Sequence, residues 1–408
     1  MVKWRVLTAL AIAELLGLTL WFSASAVTPA LIAEWRLDDG MAAWVTMSVQ
    51  LGFVAGTLLS ALLNLPDVLN ARRFFALCAF CGAMANGAIG LFVNGIYAAL
   101  VLRFCTGFFL AGVYPPGMKI MATWFKADRG MAIGVLVGAL TVGSAAPHLL
   151  KVVGGPDWRN LILLASLCAL GAAIICLVAV KDGPYHTGGA RFDWRAAGRA
   201  LADRGVRLAN FGYLGHQWEL YAMWTWIALF LAASFEASGM ADVHYYAALS
   251  SFVVIGVGGL GCVAAGLLAD RYGRTTITIA AMAVSGACCL LVGSLFGGDP
   301  RLLVGLCLVW GFFIVADSAQ FSTSITELSD PAYVGTTLTL QTCLGFLLTL
   351  VTIRLVPYWT AVLGWQWTFA PLALGPLFGI VAMYRLRTST YAARIGGKQK
   401  SKSGDAVS

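Results

Sequence analysis

Charge is what this 408-residue chain has least of: Asp, Glu, Lys and Arg make up 11% of it, while 60% is hydrophobic. Soluble domains carry about 25% charged residues, so this composition cannot cover a globule with polar surface in water, and a chain of this length in water would form two or three domains. A Walker-type loop is missing, which excludes ATP hydrolysis within the chain. No nucleophile constellation or metal-ligand cluster is present either, so enzymatic activity, a cofactor and a resident metal are not expected. A second pair to match Cys78-x-x-Cys81 is absent. Nearly all ten cysteines fall inside apolar runs and read as small hydrophobes between helices. The net charge of +8 lacks an aromatic-basic groove, so nucleic acid is not an expected partner. The N-terminal apolar stretch exceeds a signal core and is interrupted by Glu14, which argues against a cleaved leader.

What is present is a series of apolar runs, each long enough to cross about 30 Å of hydrocarbon. They lie near 6–33, 41–64, 74–93, 97–123, 130–153 and 159–180, then near 207–235, 243–269, 275–296, 301–326, 333–356 and 365–386. These are spans 1 to 12. An even number puts both termini on one side. Of the 27 Lys and Arg, twenty lie on that terminal side, five lie opposite, and Arg103 and Lys119 lie within a span. Cytoplasmic loops carry the basic excess, so termini and linker are expected in the cytoplasm, with the protein in a bacterial inner membrane. The expected organisation is an N-terminal six-helix bundle at 1–180, a cytoplasmic linker at 181–206, a C-terminal bundle at 207–387 and a disordered tail at 388–408. An amphipathic surface helix is expected around Trp194–Leu201.

Local signatures recur half a chain apart. Asp67, in Leu-Pro-Asp-Val-Leu-Asn-Ala-Arg-Arg, returns 203 residues later as Asp270 in Gly-Leu-Leu-Ala-Asp-Arg-Tyr-Gly-Arg. Trp158, at the start of span 6, returns 207 residues later as Trp365 at the start of span 12. Six spans separate each pair, so the halves share an orientation, as in a parallel repeat about the membrane normal with a midplane site between halves. Gly266-x-x-x-Asp270-Arg271-x-Gly273-Arg274 resembles the cytoplasmic signature of the major facilitator superfamily. The resemblance implies an all-α integral membrane fold of twelve transmembrane helices in two six-helix parallel repeats. It also implies a conformational latch: Asp270 beside Arg271 and Arg274, with Gly273 in the turn, and Asp67 with Arg72 in the first half, where Asn70 replaces the turn glycine. The stretch Trp124 to Gly134 is similar to organic-anion and nitrate-type branches. Nitrate permeases of this fold carry an Arg in spans 2 and 8, whereas span 2 offers Gln50 here and span 8 has no basic residue within it. In span 5, Pro147-His148 stands where an antiporter pattern has Gly-Pro.

Charges inside spans are costly and mark function by default. Glu14, Arg103, Glu219 and Asp317 lie in spans 1, 4, 7 and 10, which line the cavity in the superfamily resembled. Helical spacing aligns Glu14 with Trp21 and Ser25, Arg103 with Tyr114, His216 with Glu219 and Trp226, and Trp310 with Asp317, with Gln320 beside them. Proton coupling is expected of Glu14, His216, Glu219 and Asp317. Substrate contact is expected of Trp21, Ser25, Arg103, Tyr114, Trp226, Trp310 and Gln320. Arg103 reads either as an anion contact or as an Arg held by Glu14 or a carbonyl, and hydrogen-bonded structural carboxyls are the alternative for Glu14 and Glu219. Tyr114-Pro115-Pro116 frees carbonyls one turn back, near Ala111 and Gly112. Lys119 and Lys151 read as snorkelling cations, with His148 close to the rim.

The expected function is secondary transport of a small solute, with an organic anion a candidate, by alternating access and proton-coupled symport. The expected partners are that solute, protons and membrane lipid, around a monomer. Proton-driven efflux of amphipathic compounds is the alternative; Met118-x-x-Met121 and Met240-x-x-x-His244 also leave copper import open. The four buried charges are expected to meet in one aqueous cavity.

Overall fold

The computed structural model describes residues 2–125, 129–155, 157–185, 193, 195, 198, 201–330 and 333–395. The described residues are helical almost throughout. Ten helices are long and apolar enough to cross a membrane, and they are spans 2 to 11. Spans 1 and 12 complete the twelve in broken form. Span 1 runs as Val2–Leu18 and Thr28–Trp35, and span 12 as a 3₁₀ turn at Ala370–Ala373 followed by Leu374–Arg387.

Short acidic or amide side chains start many of the spans. Asp38, Asn70, Asp157, Asp203 and Asp299 accept from backbone N–H groups of spans 2, 3, 6, 7 and 10 at 2.7–3.1 Å. Each satisfies a first-turn donor that has no partner within its own helix.

The repeat read from the sequence reappears in how the spans break and touch. Span 4 is interrupted between Leu110 and Tyr114, just before the two prolines, and span 10 at Asp317. Tyr114 and Asp317 are the pair separated by 203 residues. Gly107 of span 4 lies so close to span 2 that a Cβ there would overlap the Val49 carbonyl oxygen, and Gly311 of span 10 meets the Val254 carbonyl of span 8 in the same way. Between the halves, span 5 packs along span 8, where Gly138 and Gly259 face each other's carbonyls, and span 2 along span 11.

Two expectations change. Span 11 extends beyond 356: the helix from Val334 continues through Pro357 to a kink at Gly364, where φ is +71°. The tail expected to be disordered from 388 begins ordered, with a 3₁₀ turn at Thr390–Arg394. Arg394 donates to the Leu328 carbonyl and lies 3.7 Å from Asp203, which fastens this turn to the ends of spans 7 and 10. The amphipathic helix expected around Trp194–Leu201 falls largely outside the described residues, as do 396–408.

Candidate functional site

Span 1 loses helical form between Thr19 and Ala24. That break leaves backbone carbonyls bare in the membrane interior, where each unsatisfied group is costly. Arg103 meets them. Its Nη1 donates to Leu20 O at 2.8 Å and reaches Ser23 Oγ and Asn86 Oδ1 at 3.3 Å; Nη2 donates to Trp21 O and Nε to Val45 O. Asn86 extends the network to Ile162 O and Ser166. Every nitrogen of the guanidinium thus has a neutral oxygen partner, and Glu14 is not among them. Of the alternatives open from sequence, the geometry is that of an Arg held by carbonyls.

Glu14 is fully buried, and among the described residues neither of its carboxylate oxygens has a hydrogen-bond partner. It faces Gly117 of span 4. On the C-terminal side, His216 Nδ1 lies 2.8 Å from Asp317 Oδ1, with both side chains 2% exposed and, among the described residues, no partner for His216 Nε2. The Tyr213 and His216 rings lie 6.1 Å apart and each meets Phe321, so Tyr213, His216 and Asp317 form one cluster in the C-terminal half, while Glu14 and Arg103 lie in the N-terminal half.

Glu219 is built differently. Trp310 Nε1 donates to Oε1 at 2.5 Å, Cys289 Sγ to the same oxygen at 3.1 Å, and Ser285 Oγ to Oε2 at 3.0 Å. Those three donors come from spans 9 and 10, so Glu219 and Trp310 are bonded inside the C-terminal half. Trp226 Nε1 donates to Ile353 O at 3.1 Å, also within that half. Gln320 accepts from Arg274 Nη1 at 3.0 Å. Ser25 Oγ shares a 2.7 Å bond with Thr46. Among the expected contacts, Trp21 meets rings of the other half at the central seam, and Ser25 lies where the halves meet on the outer side.

The seam between the halves is aromatic. Trp21 meets Phe53, Tyr221 and Phe346 with ring centroids 4.8–5.8 Å apart, and Phe22 meets Tyr221 and Trp224 at 5.8–6.1 Å. Thr349 donates to Gln50, joining span 11 to span 2 across the halves. The Nε1 atoms of Trp21 and Trp224 and Nε2 of Gln50 are buried without partners among the described residues. Where an aqueous cavity is expected, Trp21, Phe22, Phe53, Tyr221, Trp224 and Phe346 are buried against one another. Tyr213, Tyr221, Phe346 and Thr349 escaped the sequence reading. Tyr213 had a usable signal, since it lies three residues before His216 on the same stripe; the others had none beyond membership of an apolar run.

The latch is also redistributed. Gly273 adopts φ +91°, as its turn requires. Arg274 lies 3.7 Å from Asp270, but its close partner is Glu327 at the end of span 10, at 2.9 and 3.0 Å. Arg271 instead sits over the Tyr272 ring at 5.2 Å. In the first half, Arg72 donates to Val180 O at 3.1 Å and weakly to Leu177 O, and Asn70 to Asp182 at 2.8 Å. The side chain of Asp67 lies outside the described residues.

Comparison with known proteins agrees with this architecture. A single-site mutant of the nucleoside transporter NupG superposes with a TM-score of 0.70 at 16% identity, covering 95% of this chain and 100% of that one. A bacterial homolog of the human lysosomal transporter Spinster, inward-facing and unoccupied, gives 0.68 at 14% identity, covering 97% and 98%. At such identities the likeness is one of fold. No curated protein matches the chain. The Major Facilitator Superfamily model matches residues 10–262, more than half of the sequence. Twelve spans, a parallel repeat with matching breaks and that match together place the chain in the Major Facilitator Superfamily.

Proposed function

We propose that the chain is a proton-coupled symporter of a small planar solute rich in hydrogen-bond acceptors, operating by alternating access at the aromatic seam. The unpaired N–H groups of Trp21, Trp224 and Gln50 carry this reading. Buried donors without partners are rare in folded proteins and call for a ligand or water. Here they sit among rings contributed by both halves, where a flat solute can stack and accept from them. NupG, whose fold the chain shares, is a nucleoside transporter, and a heteroaromatic base with ring nitrogens and carbonyls has this chemistry. An organic anion is less well supported, because Arg103 already faces protein oxygens on each nitrogen.

Glu14 is the proposed proton carrier. Among the described residues its oxygens have no donor, whereas those of Glu219 have three. A carboxyl without a fixed partner in a dry setting changes protonation when a solute or water reaches it. His216 and Asp317, 2.8 Å apart, are the proposed proton sites of the opposite half. The basic bias of the terminal side supports cytoplasmic termini in a bacterial inner membrane.

The test is uptake into proteoliposomes under an imposed pH gradient, after a thermal-shift screen of flat heteroaromatic metabolites. Glu14→Gln is expected to abolish gradient-driven accumulation while leaving solute exchange at equal pH intact. Accumulation by Glu14→Gln at the wild-type rate would remove Glu14 from coupling. A screen in which only aliphatic acids stabilise the protein would remove the planar solute.

A further inference from the structure

On the side opposite the termini, the halves enclose a second site with no part in the scheme above. A cavity of about 30 Å³ lies between the outer ends of spans 1, 5 and 7 and the start of span 8. It is large enough for a single water-sized occupant, which needs roughly 10–15 Å³. His148 and Lys151 of span 5 and Ser25 of span 1 line it from one half; Thr225 and His244 line it from the other.

The chemistry of this lining is one-sided. None of the described residues around the cavity carries a carboxyl. His148 is 3% exposed, and among the described residues neither of its ring nitrogens has a partner. Even the neutral imidazole has one N–H to give. Lys151, one turn on and half-buried, has no carboxylate within ion-pair distance among the described residues and brings three donors. The Ser25–Thr46 pair can turn either hydroxyl outward. Thr225 gives its proton to Tyr221 O, and His244 stands at the exposed rim. A buried donor, a neighbouring cation and no acid around a space of monatomic size are what an anion requires.

We propose that this cavity binds a small monovalent anion of the halide class, which bridges span 5 to spans 7 and 8 and holds the outer side of the transporter closed. The site forms only when the halves meet, because each supplies part of the lining. Halide occupancy therefore stabilises the outward-closed conformation by mass action. The proposal does not depend on which solute the central seam carries.

The test is thermal unfolding of the detergent-purified full-length protein at fixed pH and ionic strength, with sodium gluconate replaced stepwise by sodium chloride or bromide. A saturable rise in melting temperature is expected with both halides, gluconate being too large to enter. Lys151→Met should lose the rise and Lys151→Arg retain it. His148→Phe should move the halide midpoint up by about tenfold, the equivalent of 1.4 kcal/mol. A wild-type protein whose melting does not distinguish halide from gluconate would overturn the proposal, as would an undiminished rise in Lys151→Met. Should Lys151→Met fail to fold, an unchanged midpoint in His148→Phe is equally fatal.

Discussion

Two intramembrane charges that look alike in the sequence are held in opposite ways. Arg103 is saturated with protein oxygens around the break in span 1, while Glu14, in the same span as that break, has no hydrogen bond among the described residues. Saturation implies a part in holding the fold, since removing the guanidinium strips the partners from buried carbonyls, at about 1–3 kcal/mol for each group left bare. Arg103→Met is therefore expected to lower the melting temperature of the purified protein sharply. Arg103→Lys should recover part of that loss, because an ammonium can reach one or two of the oxygens but cannot fork across Leu20 and Trp21. Solute affinity of the Arg103→Lys protein that does fold should stay close to wild type. A lysine variant of normal stability but lost affinity would instead make Arg103 a solute contact. The sequence marked both residues through the rarity of charge in a membrane span, but not this difference, because a partner on another helix leaves no trace in local spacing.

Among the helices, the repeat shows itself most clearly in close approaches. Gly107 against Val49 and Gly311 against Val254 are equivalent contacts in the two halves, made between spans 2 and 4 and between spans 8 and 10. Neither carbonyl lies on a flexible side chain, so an added methyl has to push helices apart. Gly107→Ala and Gly311→Ala are each expected to abolish monodisperse elution in fluorescence-detected size exclusion. Gly305→Ala and Gly335→Ala, where a Cβ meets nothing within 4 Å, should elute as wild type. Equal behaviour of all four would refute the packing argument. Span number, the parallel repeat and the position of the break before Pro115 were all legible in the sequence, since each follows from hydropathy, period or missing backbone donors. The partner of Arg274 was not. Glu327 lies 53 residues away, at the end of another span, and which face of span 10 turns toward span 9 is fixed by packing around helix axes rather than by any spacing along one helix.

For the molecule as a whole, alternating access requires that contacts across the seam form and break while each half stays intact. The bond from Thr349 to Gln50 and the ring contacts of Trp21 with Tyr221 and Phe346 cross that seam, whereas the Arg103 and Glu219 networks lie wholly inside one half. Networks inside a half can remain intact through the cycle; the seam contacts are the ones a rocking motion must undo. A covalent link at Gln50 and Thr349 should therefore arrest transport without unfolding the protein. The Gln50→Cys, Thr349→Cys double variant, oxidised in proteoliposomes, is expected to lose solute uptake and to regain it on reduction. Each single variant treated in parallel controls for the ten native cysteines. If the cross-linked protein transports as fast as the single variants, spans 2 and 11 do not separate at this level during the cycle. The moving boundary would then have to lie elsewhere, with span 5 against span 8 at Gly138 and Gly259 as the remaining extensive contact between halves.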